Sequence, residues 1–177
     1  MLARAAAGND IELVRLFCGT FIDNDTLEFL GIYEPKTMTF NYWGDGTAVL
    51  ECTTYADAVR YIVAAAVDDR KLPGTIAVKG DCLPIRDIAM RYETGLGAGK
   101  KYLTRCLGTL EELDVLVCAR QKADPANMNS WLGCTYASII NRGFGRLPHL
   151  STDLFPSITP LVFEDAVRTG EFTTKEQ

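Results

Sequence analysis

The sequence has little of what metal and thiol chemistry require. It contains one histidine and six cysteines, and no two cysteines are spaced as a Cys-x-x-Cys pair. Structural zinc sites take four ligands, usually in short-spaced pairs, so we expect no metal site. Because most of the cysteines lie in apolar runs, we interpret most of them as buried thiols. Scattered thiols without an evident secretory signal indicate a reducing compartment, so we predict a cytoplasmic protein.

Positive charge and long apolar runs are also scarce. The chain carries 18 Lys and Arg against 23 Asp and Glu, a net charge of −5, and its basic residues cluster no further than Arg70-Lys71 and Lys100-Lys101. Basic patches are what nucleic acids and anionic membranes recognise. The longest apolar run lies within Tyr61–Val67, far short of the roughly 20 apolar residues that span a membrane. We therefore expect neither nucleic acid nor a membrane as a partner.

What the chain does have is enough apolar material for one domain with a buried core. Its 177 residues are 47% hydrophobic and 23% charged. Ile11–Phe17 (IELVRLF) and Thr75–Lys79 (TIAVK) are near-continuous apolar runs, which are typical of strands in a buried parallel sheet. Helix-prone segments alternate with strands, which is typical of α/β and α+β folds, and the two parallel-type strands favour α/β. Few further strands are available as neighbours, which indicates that these two strands belong to a larger sheet.

Turn and cap signals place the elements between the two strands. Gly44-Asp45-Gly46 lies between the β-prone runs Thr37–Tyr42 and Thr47–Cys52 and predicts a hairpin. Thr54, with Asp57 three residues later, predicts the start of a helix. The spacing of the apolar residues in that helix predicts an inward-facing stripe of Val59, Ile62, Val63, Ala66 and Val67.

Further elements are predicted downstream of the second strand. A strand is predicted over Lys101–Cys106. Thr109 and Glu112 form a capping box at the start of the helix that follows. The last long helix is predicted to begin at Asp124-Pro125 and to end at Gly143.

One glycine-rich segment, Gly95-Leu96-Gly97-Ala98-Gly99-Lys100, approaches a phosphate-binding loop. A dinucleotide fingerprint is GxGxxG, placed between a strand and the N-terminus of a helix. Here a lysine stands in place of the third glycine, and the segment follows a predicted helix and leads into a strand. No helix N-terminus would face a phosphate in this order. We therefore interpret the segment as a helix-to-strand turn.

The segment that follows the first strand is the best functional candidate. In open α/β sheets ligands bind beyond the carboxyl ends of the strands, and Cys18–Asn24 follows the apolar run that ends at Phe17. The alternative is a simple β-to-α turn without ligand contacts. The candidates for contacts with substrate or cofactor are Gly19, Thr20, Phe21 and Asn24.

The sequence does not identify a catalytic side chain. His149 is the only histidine, lies in a predicted loop and has no nucleophile motif to act on. It is instead a candidate for lining a pocket, together with aromatic side chains that lie near glycines or on an apolar helix face. The pocket candidates are Trp43, Trp131, Phe144 and His149.

Taken in order, these features resemble one known family. The series runs from Gly19-Thr20-Phe21 through the Gly44-Asp45-Gly46 turn, the Thr54–Asp57 helix start and the Asp68-Asp69 turn to the strand and turn of Thr75–Asp81. It resembles the C-terminal portion of the NmrA-like, isoflavone-reductase-like family of atypical short-chain dehydrogenases, over about residues 1–168. Each motif is weak alone, and the resemblance rests on their order.

The resemblance implies a partial Rossmann-like sheet, made of its C-terminal strands, joined to a small α/β substrate domain. The Rossmann strand elements would lie near 11–17 and 75–79, and the substrate-side elements at 20–52 and 84–168. Members of the family bind NADP(H) through a glycine-rich loop, and the reductases among them use a catalytic lysine. Both features lie in an N-terminal half that, by this resemblance, we expect to be missing from this chain. We therefore expect the chain alone to bind the dinucleotide poorly.

Three functions remain open. The first is an NAD(P)H-dependent reductase of a small aromatic or polyketide-like molecule, with its pocket between Gly19–Asn24 and the helix of Pro125–Asn141. The second is a non-catalytic regulator of the NmrA type that acts through protein contacts. The third is a cofactor-independent isomerase or cyclase. The expected partners are a small-molecule substrate and, with the sheet incomplete, a second copy of the chain or a regulatory protein.

Overall fold

A computed structural model describes residues 13–97, 99, 101–147 and 149–172. The strands in this part of the chain are β1 Arg15–Phe17, β2 Thr20–Phe21, β3 Tyr33–Glu34, β4 Thr39–Tyr42, β5 Val49–Thr53, β6 Thr75–Ala77, β7 Asp81–Pro84 and β8 Leu103–Cys106. The α-helices are α1 Asn24–Phe29, α2 Tyr55–Ala66, α3 Ile88–Leu96, α4 Leu110–Ala123, α5 Leu132–Asn141 and α6 Phe163–Thr169. The predicted α/β class is confirmed.

The two apolar strands predicted to be parallel pair directly with each other. β1 and β6 run parallel, with Arg15 opposite Thr75 and Phe17 opposite Ala77. The predicted strand began at residue 11, and residues 11 and 12 lie outside the described part of the chain. Within that part β1 and β6 form a sheet of two strands.

The predicted hairpin around Gly44–Gly46 is wrong, because β4 and β5 lie in different sheets. β4 pairs antiparallel with β3 and parallel with β8, whereas β5 lies between β2 and β7. A Cβ atom at Gly46 would lie 2.7 Å from Cβ of Arg86. The turn is therefore packed against the segment after β7. β4 and β5 each pair with two other strands in their own sheets, whereas a hairpin would give each of them one partner.

The larger core lies around α1, α3 and the sheets of β4 and β5. Tyr33, Phe40, Tyr92 and Tyr102 form a group of aromatic rings whose centroids lie 4.8 to 6.4 Å apart. Such clusters bury large apolar areas in fixed geometry. The core therefore holds α3 against β4 and β8. All three elements lie in the ranges that the resemblance assigns to the substrate domain, 20–52 and 84–168.

Helix α2 forms where predicted but presents the opposite face to the protein. The Thr54 hydroxyl caps it by accepting from the backbone N–H of Asp57 at 3.0 Å. The predicted inward stripe is wrong, because Val59, Ile62, Val63 and Val67 are 53 to 73% exposed. The buried face carries Asp57, whose Oδ2 accepts from the N–H of Leu161 at 2.8 Å. It also carries Tyr61, whose ring packs edge-on against Phe155, so specific tertiary contacts set the rotation of the helix.

Two downstream predictions meet different outcomes. The helix predicted from Asp124-Pro125 starts only at Leu132, after a 3-10 turn at Met128–Ser130. The helix-then-strand order around the glycine-rich segment is confirmed, since α3 ends at Leu96, Gly97 caps it at φ +63°, and β8 follows. Among the described residues no helix is both long and apolar enough to cross a membrane.

Candidate functional site

The β1–β6 pair has one packed face and one open face. Leu16 and Ile76 point toward Tyr61 and Phe155 and belong to a buried cluster there. Because side chains alternate along a strand, Phe17, Thr75 and Ala77 lie on the other face. They form the floor of a cavity of about 480 Å³, which we call the edge cavity. Its remaining walls are Phe144, Gly145, Arg146, Leu147, His149 and Ser151.

The segment that forms the other wall of the cavity is held to β6 by two hydrogen bonds of Ser151. The N–H of Ser151 donates to the carbonyl oxygen of Ala77 at 2.7 Å. The N–H of Ala77 donates in turn to the hydroxyl oxygen of Ser151 at 3.3 Å. These bonds fix one end of the wall, and the cavity brings together two predicted pocket residues, Phe144 and His149.

A buried ion pair fixes the other end of the wall. The carboxylate of Glu51, on β5, is 4% exposed and accepts from Nζ of Lys79 at 2.8 Å. Its second oxygen accepts from the N–H of Leu147 at 2.6 Å. Nε of Arg146 lies 3.9 Å from the first oxygen. Glu51 therefore ties the end of β6 to the segment that covers the edge cavity.

The electrostatics of this pair favour the charged form of both groups. Burial by itself raises the pKa of the Glu51 carboxyl, but the hydrogen bonds from Leu147 and Lys79 and the charge of Arg146 outweigh it and hold that pKa below its ordinary value. The hydrogen bond to Glu51 raises the pKa of Lys79. Both shifts indicate that the folded protein keeps a carboxylate and an ammonium here at neutral pH.

A second, larger cavity lies beside the first and shares Arg146 with it. It has a volume of about 780 Å³, and we call it the turn cavity because the Gly44 turn forms one wall. The predicted pocket residue Trp43 lines it, as do Asp45, Glu111 and Arg142. The structure therefore places Trp43 in a different cavity from Phe144 and His149, and Arg146 lines both cavities.

The candidates of the segment after β1 have clear structural surroundings and line neither cavity. Gly19 has φ +70°, and a Cβ atom there would lie 2.5 Å from the carbonyl oxygen of Glu51. Thr20 pairs with β5, and Phe21 stacks on Tyr55 with ring centroids 4.1 Å apart. Asn24 is buried in the first turn of α1. Their role as ligand contacts stays a prediction.

Helix α1, which follows this segment, packs directly on the last long helix at its C-terminal residue Phe29. Gly133 of α5 lies against the backbone of Phe29 so closely that a Cβ atom would collide with its carbonyl oxygen. The rings of Phe29 and Tyr136 also meet, with centroids 6.3 Å apart. Trp131, at the start of α5, lines neither cavity. The cavities lie instead beyond the C-terminal end of α5.

Sequence reasoning missed the three charged residues that organise the site, Glu51, Lys79 and Arg146. One signal was available, because Glu51 interrupts the otherwise apolar or neutral strand VLECT. A carboxylate in a buried strand needs a cation or several donors. The partners themselves are 28 and 95 positions away in the chain and carry no local signal.

Three helix N-termini among the described residues are poor sites for the pyrophosphate of a dinucleotide. Such a group binds backbone N–H groups at a helix N-terminus, where negative charge is favoured. The N-termini of α1, α2 and α4 are capped by Asp23, Thr54 and Thr109 and carry acidic residues in their first turns. Gly97 lies at a helix C-terminus, where carbonyl oxygens point outward. No group of three or more potential metal ligands occurs among the described residues either.

Comparison with known proteins shows similarity in structure and not in sequence. No protein-family model matches the chain, and no curated protein matches it. The complex of leucoanthocyanidin reductase from Vitis vinifera with NADPH aligns with a TM-score of 0.70 at 15% identity, covering 97% of this chain and 56% of that one. A ternary complex of the same reductase gives 0.69 at 15% identity, covering 97% of this chain and 59% of that one.

A nucleoside-diphosphate-sugar epimerase from Staphylococcus aureus aligns with a TM-score of 0.63 at 12% identity, covering 94% of this chain and 55% of that chain. The chain thus spans a little over half the length of these proteins. At such identities the likeness shows a shared fold, and the predicted Rossmann-like α/β architecture is confirmed.

Proposed function

We propose that this chain forms the substrate-binding side of an NAD(P)H-dependent reductase of small aromatic or polyketide-like molecules. The observation that carries the proposal is the edge cavity, an open pocket on one face of a parallel strand pair in a fold shared with a reductase. Open α/β sheets place their ligands near the carboxyl ends of such strands. In this proposal the dinucleotide is held by polypeptide outside this chain, because the glycine-rich segment follows helix α3 and its order presents no helix N-terminus to a phosphate.

The cavity has the size and lining of a small-molecule site. Pockets for such ligands have volumes of about 300–1,000 Å³ and are mostly apolar, with a few polar groups that fix orientation. The rings of Phe17 and Phe144 are 50% and 79% exposed. A bound planar ligand would bury both. Arg146 and His149 supply the polar contacts, so in this proposal the chain binds and orients the substrate and covers it from water.

Ligand binding without nucleotide tests the proposal. We expect aromatic ketones and enones to bind the purified chain in saturation-transfer NMR, and NADPH to show no saturable binding in calorimetry. Phe144→Ala should weaken ketone binding, because it removes the exposed ring from the cavity. Leu103→Ala is the matched control, since Leu103 is 65% exposed on β8 and lines neither cavity.

Three results would change the assignment. Tight NADPH binding by the chain would overturn the proposal that polypeptide outside this chain holds the dinucleotide. The absence of any ketone or enone binding would overturn the substrate role. Conversion of a ligand without nucleotide would point to a cofactor-independent isomerase or cyclase.

A second candidate function, a non-catalytic regulator acting through protein contacts, is favoured by the outer face of α2. Val59, Ile62, Val63 and Val67 are exposed together there. Contiguous apolar surface of this kind marks contact sites in other proteins. A specific protein partner that binds the wild-type chain and loses affinity for Val63→Asp, with no reductase activity in the complex, would favour this function.

A further inference from the structure

We propose that the edge cavity selects an aromatic carboxylate, with Arg146 as the residue that binds its anionic group. The inference rests on the proposed function, from which it takes the location of the substrate. It adds that the substrate is negatively charged. It is carried by the charge balance around Glu51, by the lining of the cavity and by the contrast with the turn cavity.

The charge balance leaves one cation without a close partner. The Glu51 carboxylate already accepts from Lys79 at 2.8 Å and from the Leu147 N–H at 2.6 Å. Among the described residues, the single ion-pair contact of Arg146 is to this same carboxylate, at 3.9 Å. One buried carboxylate thus faces two cations, and the weaker contact belongs to Arg146. A guanidinium presents several N–H donors in one plane, which suits a planar carboxylate.

The lining of the edge cavity suits an anion attached to a ring. None of the described residues that line it is acidic, and its two ionisable side chains are Arg146 and His149. The apolar part consists of the exposed rings of Phe17 and Phe144 and the side chains of Ala77 and Leu147. A flat ligand would cover the rings while its carboxylate meets the guanidinium, so both parts of the ligand are recognised.

The turn cavity offers an anion a poorer site, although it shares Arg146. Asp45 and Glu111 line it, and both would repel a carboxylate. Its other arginine, Arg142, is already paired with Asp114 of α4. An anionic ligand is therefore expected in the edge cavity, where none of the described lining residues is acidic.

The experiment compares 2-naphthoate with its neutral analogue 2-naphthamide. His149 is the only histidine in the chain, so its imidazole ring proton is a unique NMR probe at the cavity. We expect 2-naphthoate to shift this signal saturably in the absence of nucleotide. We expect 2-naphthamide to bind about tenfold more weakly, because it lacks the charge-assisted hydrogen bonds.

Variants of two neighbouring arginines locate the anion site. Arg146→Met should remove the preference for naphthoate, leaving the two probes with similar affinity. Arg142→Met is the matched control, because Arg142 lines only the turn cavity, and it should leave both affinities unchanged. A Tm for each variant shows that it is folded before binding is compared.

Two outcomes contradict the inference, and a third bears on the proposed function alone. Equal binding of the two probes to the wild-type chain would overturn the charge selection and leave the proposed reductase role standing. Loss of naphthoate binding in Arg142→Met and not in Arg146→Met would place the anion in the turn cavity. Tight NADPH binding would overturn the proposed function without affecting the naphthoate comparison.

Discussion

Replacing Glu51 by glutamine is expected to destabilise the fold measurably at neutral pH. Glutamine keeps an oxygen that can accept from the Leu147 N–H, but it removes the negative charge beside Lys79. Breaking a buried ion pair costs about 3–5 kcal/mol and breaking an exposed one about 0–1 kcal/mol. The carboxylate is 4% exposed and the Lys79 side chain 21%. We therefore expect Glu51→Gln to lower the free energy of unfolding by about 2 kcal/mol.

The pH dependence of that loss identifies its cause. The pKa of Glu51 is lower in the folded protein than its ordinary value of about 4.3. Its contribution to stability is therefore complete above the unfolded value and is lost as the pH falls through the folded pKa. The pKa of Lys79 is raised, so its contribution is lost only as the pH rises through its folded value. The difference between wild type and Glu51→Gln should be constant near neutral pH and shrink below about pH 4.

Urea unfolding of both proteins across this pH range is the assay. Glu34→Gln is the control, because Glu34 forms an ion pair with Arg105 at 2.7 Å in which the side chains are 38% and 52% exposed. That variant should cost less than about 1 kcal/mol. A loss in Glu51→Gln no larger than in Glu34→Gln, or one that does not change at acid pH, would refute the assignment of a buried, charged pair.

Three further variants probe the fold. Gly133→Ala should lower the free energy of unfolding by about 1–3 kcal/mol, because its Cβ meets the backbone of Phe29; an unchanged urea midpoint would contradict the close packing of α5 on α1. Thr109→Ala should cost about 1 kcal/mol, because it removes the acceptor for the Glu112 N–H in the capping box, and circular dichroism should show fraying of α4. Val63→Ser should change the free energy of unfolding by less than about 0.5 kcal/mol, since Val63 is 55% exposed; a larger loss in thermal unfolding would mean that this face of α2 is covered.

Part of the candidate site was predicted from the sequence. Phe144 and His149 were chosen as pocket residues, and the structure places both in the edge cavity. Trp43 lines the neighbouring turn cavity. Aromatic side chains near glycines in loops are a local signal, because loops rarely bury such rings completely. The segment at the carboxyl end of the first strand lies near this site, since Gly19 packs against Glu51, and its role as a ligand contact stays a prediction.

The rest of the site depends on contacts between distant segments. Glu51, Lys79 and Arg146 lie on β5, after β6 and after α5, and no local spacing relates them. The affinity of Arg146 for an anion depends on Glu51 having closer donors, which only the folded chain supplies. A position in the sequence gives the charge of a side chain, and its neighbours decide whether that charge is already paired.

Local chemistry in the sequence determined where elements begin and which class of fold they build. The Thr54 cap and the Thr109 capping box formed as predicted, because each depends on hydrogen bonds within a few residues. The two apolar runs formed strands because residues of that kind favour a buried sheet. Tertiary structure decided which face of α2 is buried and which strands pair. Helix α2 buries Asp57 and exposes its apolar stripe. The buried carboxylate accepts a hydrogen bond from the N–H of Leu161, and this contact sets the rotation of the helix. The Gly44 turn joins strands of different sheets for a similar reason: strand pairing is settled by the neighbours available across the whole chain.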